Sequence, residues 1–178
     1  MMKILITEKN YSKQASLTFQ KVGEVIYGNS DWKFILDSIP EIDVMAVKLG
    51  FNFNQDFFEH AKKLKYIVTS TTGTNHISLP QNSNIKIISL KGETKFLKNI
   101  TPTAEHTWAL ILSLIRKVPN AVESVKKFNW DRDHFIGTEL KGKILGIIGL
   151  GRIGTMVAKI GTAFGMHIKF YDINDIAS

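Results

Sequence analysis

Cysteine is absent from all 178 residues. This excludes disulfides, thiolate metal sites and a cysteine nucleophile, and it is compatible with a reducing cytoplasm, the expected location. Long hydrophobic runs are absent as well. The longest apolar stretch runs from Trp108 to Leu112 and resumes with Leu114 and Ile115 after Ser113. A membrane-spanning helix needs about 20 such residues, so no membrane partner is expected. The N-terminal MMKILITEKN offers only Ile4, Leu5 and Ile6, which reads as a first strand and not as a signal-peptide core. No H-E-x-x-H or other ligand spacing occurs, so no metal is expected. No G-x-S-x-G supports serine-hydrolase chemistry.

Charge is unbalanced towards the basic side, with 23 Lys and Arg against 16 Asp and Glu, a formal net charge of +7. The lysines are scattered, however, and Glu59, Glu93 and Glu123 stand among them. They read as a solvated surface, and nucleic acid is not an expected partner. A positive field does favour anionic cofactors and small acids.

The first half alternates two kinds of signal. Apolar runs rich in β-branched residues (KILIT, EVIYG, DVMAVKLG, KYIVTS, IKIISL) predict five strands. Between them, Tyr11–Lys21, a segment capped by Asp31 and stopped by Pro40, and a segment opened by Asn54 or Asp56 predict helices. Strands alternating with helices predict a doubly wound parallel sheet covered on both faces. From Lys91 to Thr101 the chain turns polar and turn-rich. Thr101 then fits a helix N-cap and Pro102 the first helical position. A long helix towards Lys117, bending at Pro119 and continuing to Lys127, is apolar on most sides from Trp108 to Ile115 and is expected to be buried. The domain boundary is expected before it, giving domains 1–100 and 101–178.

The most informative stretch is GIIGLGRIG, Gly146 to Gly154. Gly149, Gly151 and Gly154 follow a predicted strand, KILGIIGL, and open a predicted helix from Arg152 to about Phe164; HIKFYD is the next strand. A bare G-x-G-x-x-G is weak, but strand, glycines, helix, strand and acid all fall at dinucleotide-binding offsets. The first glycine permits the tight turn, the second admits the pyrophosphate, and the third lets helix pack on strand. Amides at the helix start then face the phosphates. Asp172 closes the second strand about 20 residues on, where a carboxylate accepts from ribose hydroxyls and repels a 2′-phosphate, favouring NAD. Arg152 is a cation at a helix N-terminus, a mildly unfavourable place that an anionic ligand would offset. The competing reading is a strand–helix turn that binds nothing.

With its helix TAEHTWALILSLIRKVPNA, the segment FNWDRDHFIGTELKGKILGIIGLGRIG and the strand FGMHIKFYD, the stretch Thr101–Asp172 resembles the D-isomer-specific 2-hydroxyacid dehydrogenases. STTGTNHISL, Ser70 to Leu79, is similar to that family's polar loop after the fourth strand, with Asn75 where the family often has Asp. The resemblance implies an α/β fold: a flavodoxin-like parallel-sheet domain followed by the first βαβ unit of a Rossmann NAD-binding domain, with substrate held between the two. By position it implies Gly149, Gly151, Arg152, Ile153 and Gly154 at the pyrophosphate, Asp172 at the ribose and Thr72 towards the nicotinamide. Ser70, Thr71 and Gly73 would offer backbone amides to a substrate carboxylate. It implies NAD as cofactor, a 2-hydroxy or 2-oxo acid as substrate, and a homodimer formed through the long helix and its loop.

No residue matches the family's catalytic Arg, Glu or His. His60, His76, His106, His134 and His167 lack an acid spaced to orient them and read as structural or surface residues. The chain therefore reads as the N-terminal part of such an enzyme, inactive by itself. Its two-stranded cofactor half should leave a sheet edge open to partners. The alternatives are a non-catalytic NAD-binding regulatory protein on the same fold, or a purely structural assembly module.

Overall fold

β-Branched runs flanked by turn residues lose little entropy in becoming strands, and each predicted run does so. The computed structural model, described over residues 1–174, holds β1 (Met2–Ile6), β2 (Gly23–Tyr27), β3 (Val44–Val47), β4 (Tyr66–Thr69), β5 (Lys86–Ile88), β6 (Ile144–Ile148) and β7 (His167–Tyr171). Between the strands run α1 (Lys13–Gln20), α2 (Trp32–Ser38), α3 (Gln55–His60), α4 (Thr94–Leu97), α5 (Pro102–Ile115), α6 (Val118–Lys126) and α7 (Arg152–Ala163). The chain divides into two units, Met1–Thr94 and the residues from Lys95 onward.

In the first unit the strands form one parallel sheet in the order β2-β1-β3-β4-β5. The helices start where side-chain acceptors meet orphan amides. Ser12 accepts from Ala15 N (3.4 Å), Asp31 from Phe34 N (3.1 Å) and Asn54 from Phe57 N (3.1 Å). The middle strands are dry: Ile4, Leu5, Ile6, Met45, Ala46, Val47 and Ile67 are buried. Each large apolar side chain among them contributes about 1.5–3 kcal/mol. Phe53 and Phe57 pack with ring centroids 4.9 Å apart and extend the core under α3. Asp43 ties the sheet's lower edge: its carboxylate accepts from Lys3 N (3.0 Å) and Lys65 Nζ (3.0 Å).

In the second unit β6 and β7 pair in parallel, Ile144 opposite His167 through Ile148 opposite Tyr171. Their core is small. Ala104 and Trp108 of α5 meet Val157 of α7, with Leu145 and Ile147 packed against them. Trp108 Nε1 donates to Val157 O (3.1 Å), which satisfies the one polar atom of a buried indole.

Four expectations change. The segment after Lys91 is not all turn, since Thr94–Leu97 makes one helical turn. Thr101 stands at the N-cap of α5, but its hydroxyl donates to Glu105 and caps no backbone amide. The long helix breaks at Lys117, which adopts the left-handed conformation (φ 53°), and α6 restarts with Pro119 in its first turn. The expected burial of α5 on most sides does not occur among the described residues. One face packs on α7, while Leu110 and Leu114 are exposed. The β6–β7 sheet is likewise covered on one face only, with Ile144 and Ile148 open on the other. Two strands and one helix supply too little surface to cover both.

Candidate dinucleotide site

The turn after β6 is built from backbone. Gly149 continues the ladder, donating to Tyr171 O (2.8 Å), and then takes φ +90°, which a side chain would strain. Gly151 follows at the N-cap of α7, where no side chain caps the helix among the described residues. A Cβ built on Gly149 or Gly151 would meet nothing within 4 Å, so both face open space. Gly154 is the opposite case: its Cβ would fall 2.1 Å from Gly149 O. These are the three glycine roles the spacing predicts: a turn, an open approach and a close packing. The first amides of α7 have no intrahelical acceptor, and the helix dipole adds partial positive charge there. The cradle fits a pyrophosphate.

Asp172 sits at the mouth of that turn. Oδ2 accepts from Leu150 N (2.7 Å), while Oδ1 accepts from Asn174 N (2.9 Å) and Asn174 Nδ2 (3.3 Å). The Asn174 amide first, then that of Leu150, hold its carboxyl below the usual carboxylate range. A carboxylate has about four lone-pair sites, and with three taken, acceptor capacity remains on Oδ2 for a further hydroxyl. The carboxylate thus joins the glycine turn to the end of β7.

The Arg152 side chain goes elsewhere. Nη1 donates to Leu97 O (3.2 Å) and Ile100 O (2.9 Å). The offset expected from an anionic ligand is supplied here by carbonyls. Ile153 packs with Trp108 and Val157 in the core, leaving its backbone as the part available to a ligand.

Ser70–Gly73 follows the C-terminal end of β4 in the first unit. Thr71 fixes it: its Oγ1 lies 2.9 Å from Thr69 Oγ1 and donates to Gly73 O (2.6 Å), and its carbonyl accepts from Leu90 N (3.0 Å). Ser70, Thr72 and Gly73 are exposed, and a Cβ on Gly73 would touch nothing within 4 Å. No backbone acceptor takes the Thr72 or Gly73 amide among the described residues. His76 is buried behind this loop with Nε2 unpartnered, and its carbonyl accepts from Phe53 N (2.8 Å). His106 is exposed on α5.

Sequence reasoning missed Glu8. It lies at the end of β1, beside the point where the strand order reverses between β1 and β3. Its Oε1 accepts from Lys48 N (2.8 Å) and Gly50 N (3.3 Å), and Thr7 Oγ1 donates to Oε2. No local spacing announces bonds between residues 40 positions apart. Asn174 was missed as well, although an Asp accepting from the amide two residues on is an Asx-turn, a local signal.

Residues 4–133 match the family model for the D-isomer specific 2-hydroxyacid dehydrogenase catalytic domain, and residues 108–177 that for its NAD binding domain. The chain belongs to the D-isomer specific 2-hydroxyacid dehydrogenase family, and the cofactor of this class is NAD. Among curated relatives it is 38% identical over 173 residues to the D-3-phosphoglycerate dehydrogenase of Methanocaldococcus jannaschii, covering 97% of this chain and 32% of that protein. The chain thus spans about a third of that relative's length. Among solved structures, the D-lactate dehydrogenase of Aquifex aeolicus, complexed with NAD and lactic acid, is 25% identical with a TM-score of 0.78, over 98% of this chain and 52% of the other. The TT0316 protein of Thermus thermophilus, at 23% identity, shares the fold with a TM-score of 0.85 over 99% of this chain and 58% of that one.

Proposed function

We propose that the chain supplies the NAD pyrophosphate and ribose contacts and part of the substrate-carboxylate contacts of a cytoplasmic D-2-hydroxyacid dehydrogenase. The reaction is reversible hydride transfer between NAD(H) and a 2-hydroxy or 2-oxo acid. The observation that carries this reading is the capless glycine turn between β6 and α7, facing open space beside the Asp172 carboxylate. The amides of Gly151, Arg152 and Ile153 bind the diphosphate, and Asp172 accepts from a ribose hydroxyl. The exposed amides of Thr72 and Gly73, with Ser70 and Thr71, orient the acid's carboxylate. The domains divide as flavodoxin-like residues 1–100 and Rossmann residues 101–178.

NAD, when bound, supplies or accepts the hydride. A general acid/base at the 2-position oxygen and a cation for the carboxylate are also required. None of these residues takes those parts, so the 178-residue chain alone has no turnover. In the assembled enzyme two copies associate through α5, α6 and the following loop. Support for this comes from the exposed Leu110, Leu114, Val122, Val125, Phe128 and Trp130.

Calorimetric titration of the chain with NAD tests the reading. Binding is expected, and Asp172→Ala should weaken it roughly tenfold, by loss of a charge-assisted hydrogen bond. Unchanged affinity would remove Asp172 from the site. NADH oxidation with a panel of 2-oxo acids should be absent, and measurable turnover would overturn the assignment of the catalytic groups elsewhere.

A further inference from the structure

Arg152 holds two carbonyls that belong to the first residues of the second unit. Its Nη1 carries two N–H donors, and two acceptors meet them, Leu97 O at 3.2 Å and Ile100 O at 2.9 Å. Leu97 O already accepts from Ile100 N (3.0 Å), so the guanidinium closes on a turn that is itself hydrogen-bonded. Arg152 is the only donor to Ile100 O among the described residues. That turn leads into α5, whose start has no side-chain cap. At the other end of the side chain, Arg152 is the first residue of α7 and follows Gly151 directly. One side chain therefore ties the start of α5 to the glycine turn. Arginine suits the task because its donors are fixed in one plane and its charge does not titrate away.

We propose that Arg152 is a positioning residue whose side chain couples occupancy of the glycine turn to the order of Leu97–Glu105. Resting on the NAD reading above, the inference adds a direction to it: the guanidinium serves the protein's own carbonyls, and the phosphates are met by backbone. A pyrophosphate that immobilises the amides of Gly151–Ile153 also immobilises the base of the Arg152 side chain. The turn it holds becomes more ordered as a result. Coupling of this kind is reciprocal, so removing the anchor must also weaken NAD binding. Trp108 Nε1 on Val157 O joins the same two helices further along and keeps them packed when the anchor is lost.

Hydrogen exchange of the chain, with and without NAD, tests this on Arg152→Met, which keeps the stem and loses the donors, and on Arg152→Lys. Without NAD, the amides of Ile100, Ala104 and Glu105 should exchange about tenfold faster in Arg152→Met, as expected for loss of hydrogen bonds to a charged donor. The Ile144–Ile148 strand should be unchanged, and Arg152→Lys should recover part of the protection. With NAD, protection of Leu97–Glu105 should rise in the unaltered chain and in Arg152→Lys, and not in Arg152→Met. Equal exchange in all three chains without NAD overturns the proposal. Protection by NAD at the glycine turn but not at Leu97–Glu105 overturns the coupling and leaves the cofactor reading intact. An anchor visible without NAD, together with no NAD effect anywhere, overturns the cofactor reading, and the coupling falls with it.

Discussion

Gly154 leaves no room for a side chain, because a Cβ there would overlap the Gly149 carbonyl at 2.1 Å, and backbone cannot swing aside as a side chain can. Gly154→Ala should therefore open the strand–helix turn, lower Tm and abolish NAD binding, as measured by a melting curve and a titration on one sample. A variant that melts and binds as before would mean that the turn is looser than described. Asp172 makes a different kind of prediction. Its carboxyl is held low by the Asn174 and Leu150 amides, so it stays ionised well into acid. NAD affinity should be flat through neutral pH and fall only as pH drops through that depressed value. A decline centred near neutrality would point to a histidine in its place. The residues also show what local pattern can and cannot reveal. The glycine roles were legible because each needs a fixed offset from a strand end. Arg152's carbonyl partners, more than 50 residues away, and the Glu8 carboxylate under Lys48 and Gly50 were not, since they exist only after the chain has folded.

Elements carry the next predictions. Asp43 joins the N-terminal end of β1 to the approach to β4 through Lys3 N and Lys65 Nζ. The Lys3 amide first, then Lys65, hold its carboxyl below the usual range. That stabilisation is complete above the unfolded carboxylate's pKa of about 3.9 and is lost as pH falls through the lower folded value. Asp43→Asn should cost about 1–2 kcal/mol at neutral pH and flatten the acid limb of the stability curve. An unchanged limb would assign acid sensitivity to other groups. In the second unit, Trp108→Phe should remove the indole's bond to the Val157 carbonyl, which keeps its own helix bond, and shrink the small core, at a cost of about 1–2 kcal/mol read by denaturant titration. The strands were all legible because β-branched runs between turn residues have few other uses. The α4 turn was not, because Thr94–Leu97 is too short for any period to show. The exposed face of α5 was not legible either. Its apolar pattern announces burial, and Leu110 and Leu114 are open here because nothing among the described residues lies over them.

For the molecule as a whole, the parallel sheet β2-β1-β3-β4-β5 and the β6–β7 pair match the family's two domain models in chain order. The first unit has a dry central core around Leu5, Met45, Val47 and Ile67, while among the described residues of the second the buried apolar side chains are Leu97, Ala104, Trp108 and Val157. The second unit should therefore melt first, and NAD should raise that first transition by mass action. Residue-resolved NMR of the amide-labelled chain during NAD titration tests the central claim most directly. The account predicts saturable shifts of the Gly151, Arg152 and Ile153 amides together with Leu150 and Asn174. Titration to saturation with those amides unmoved, or with shifts gathered elsewhere, would contradict it.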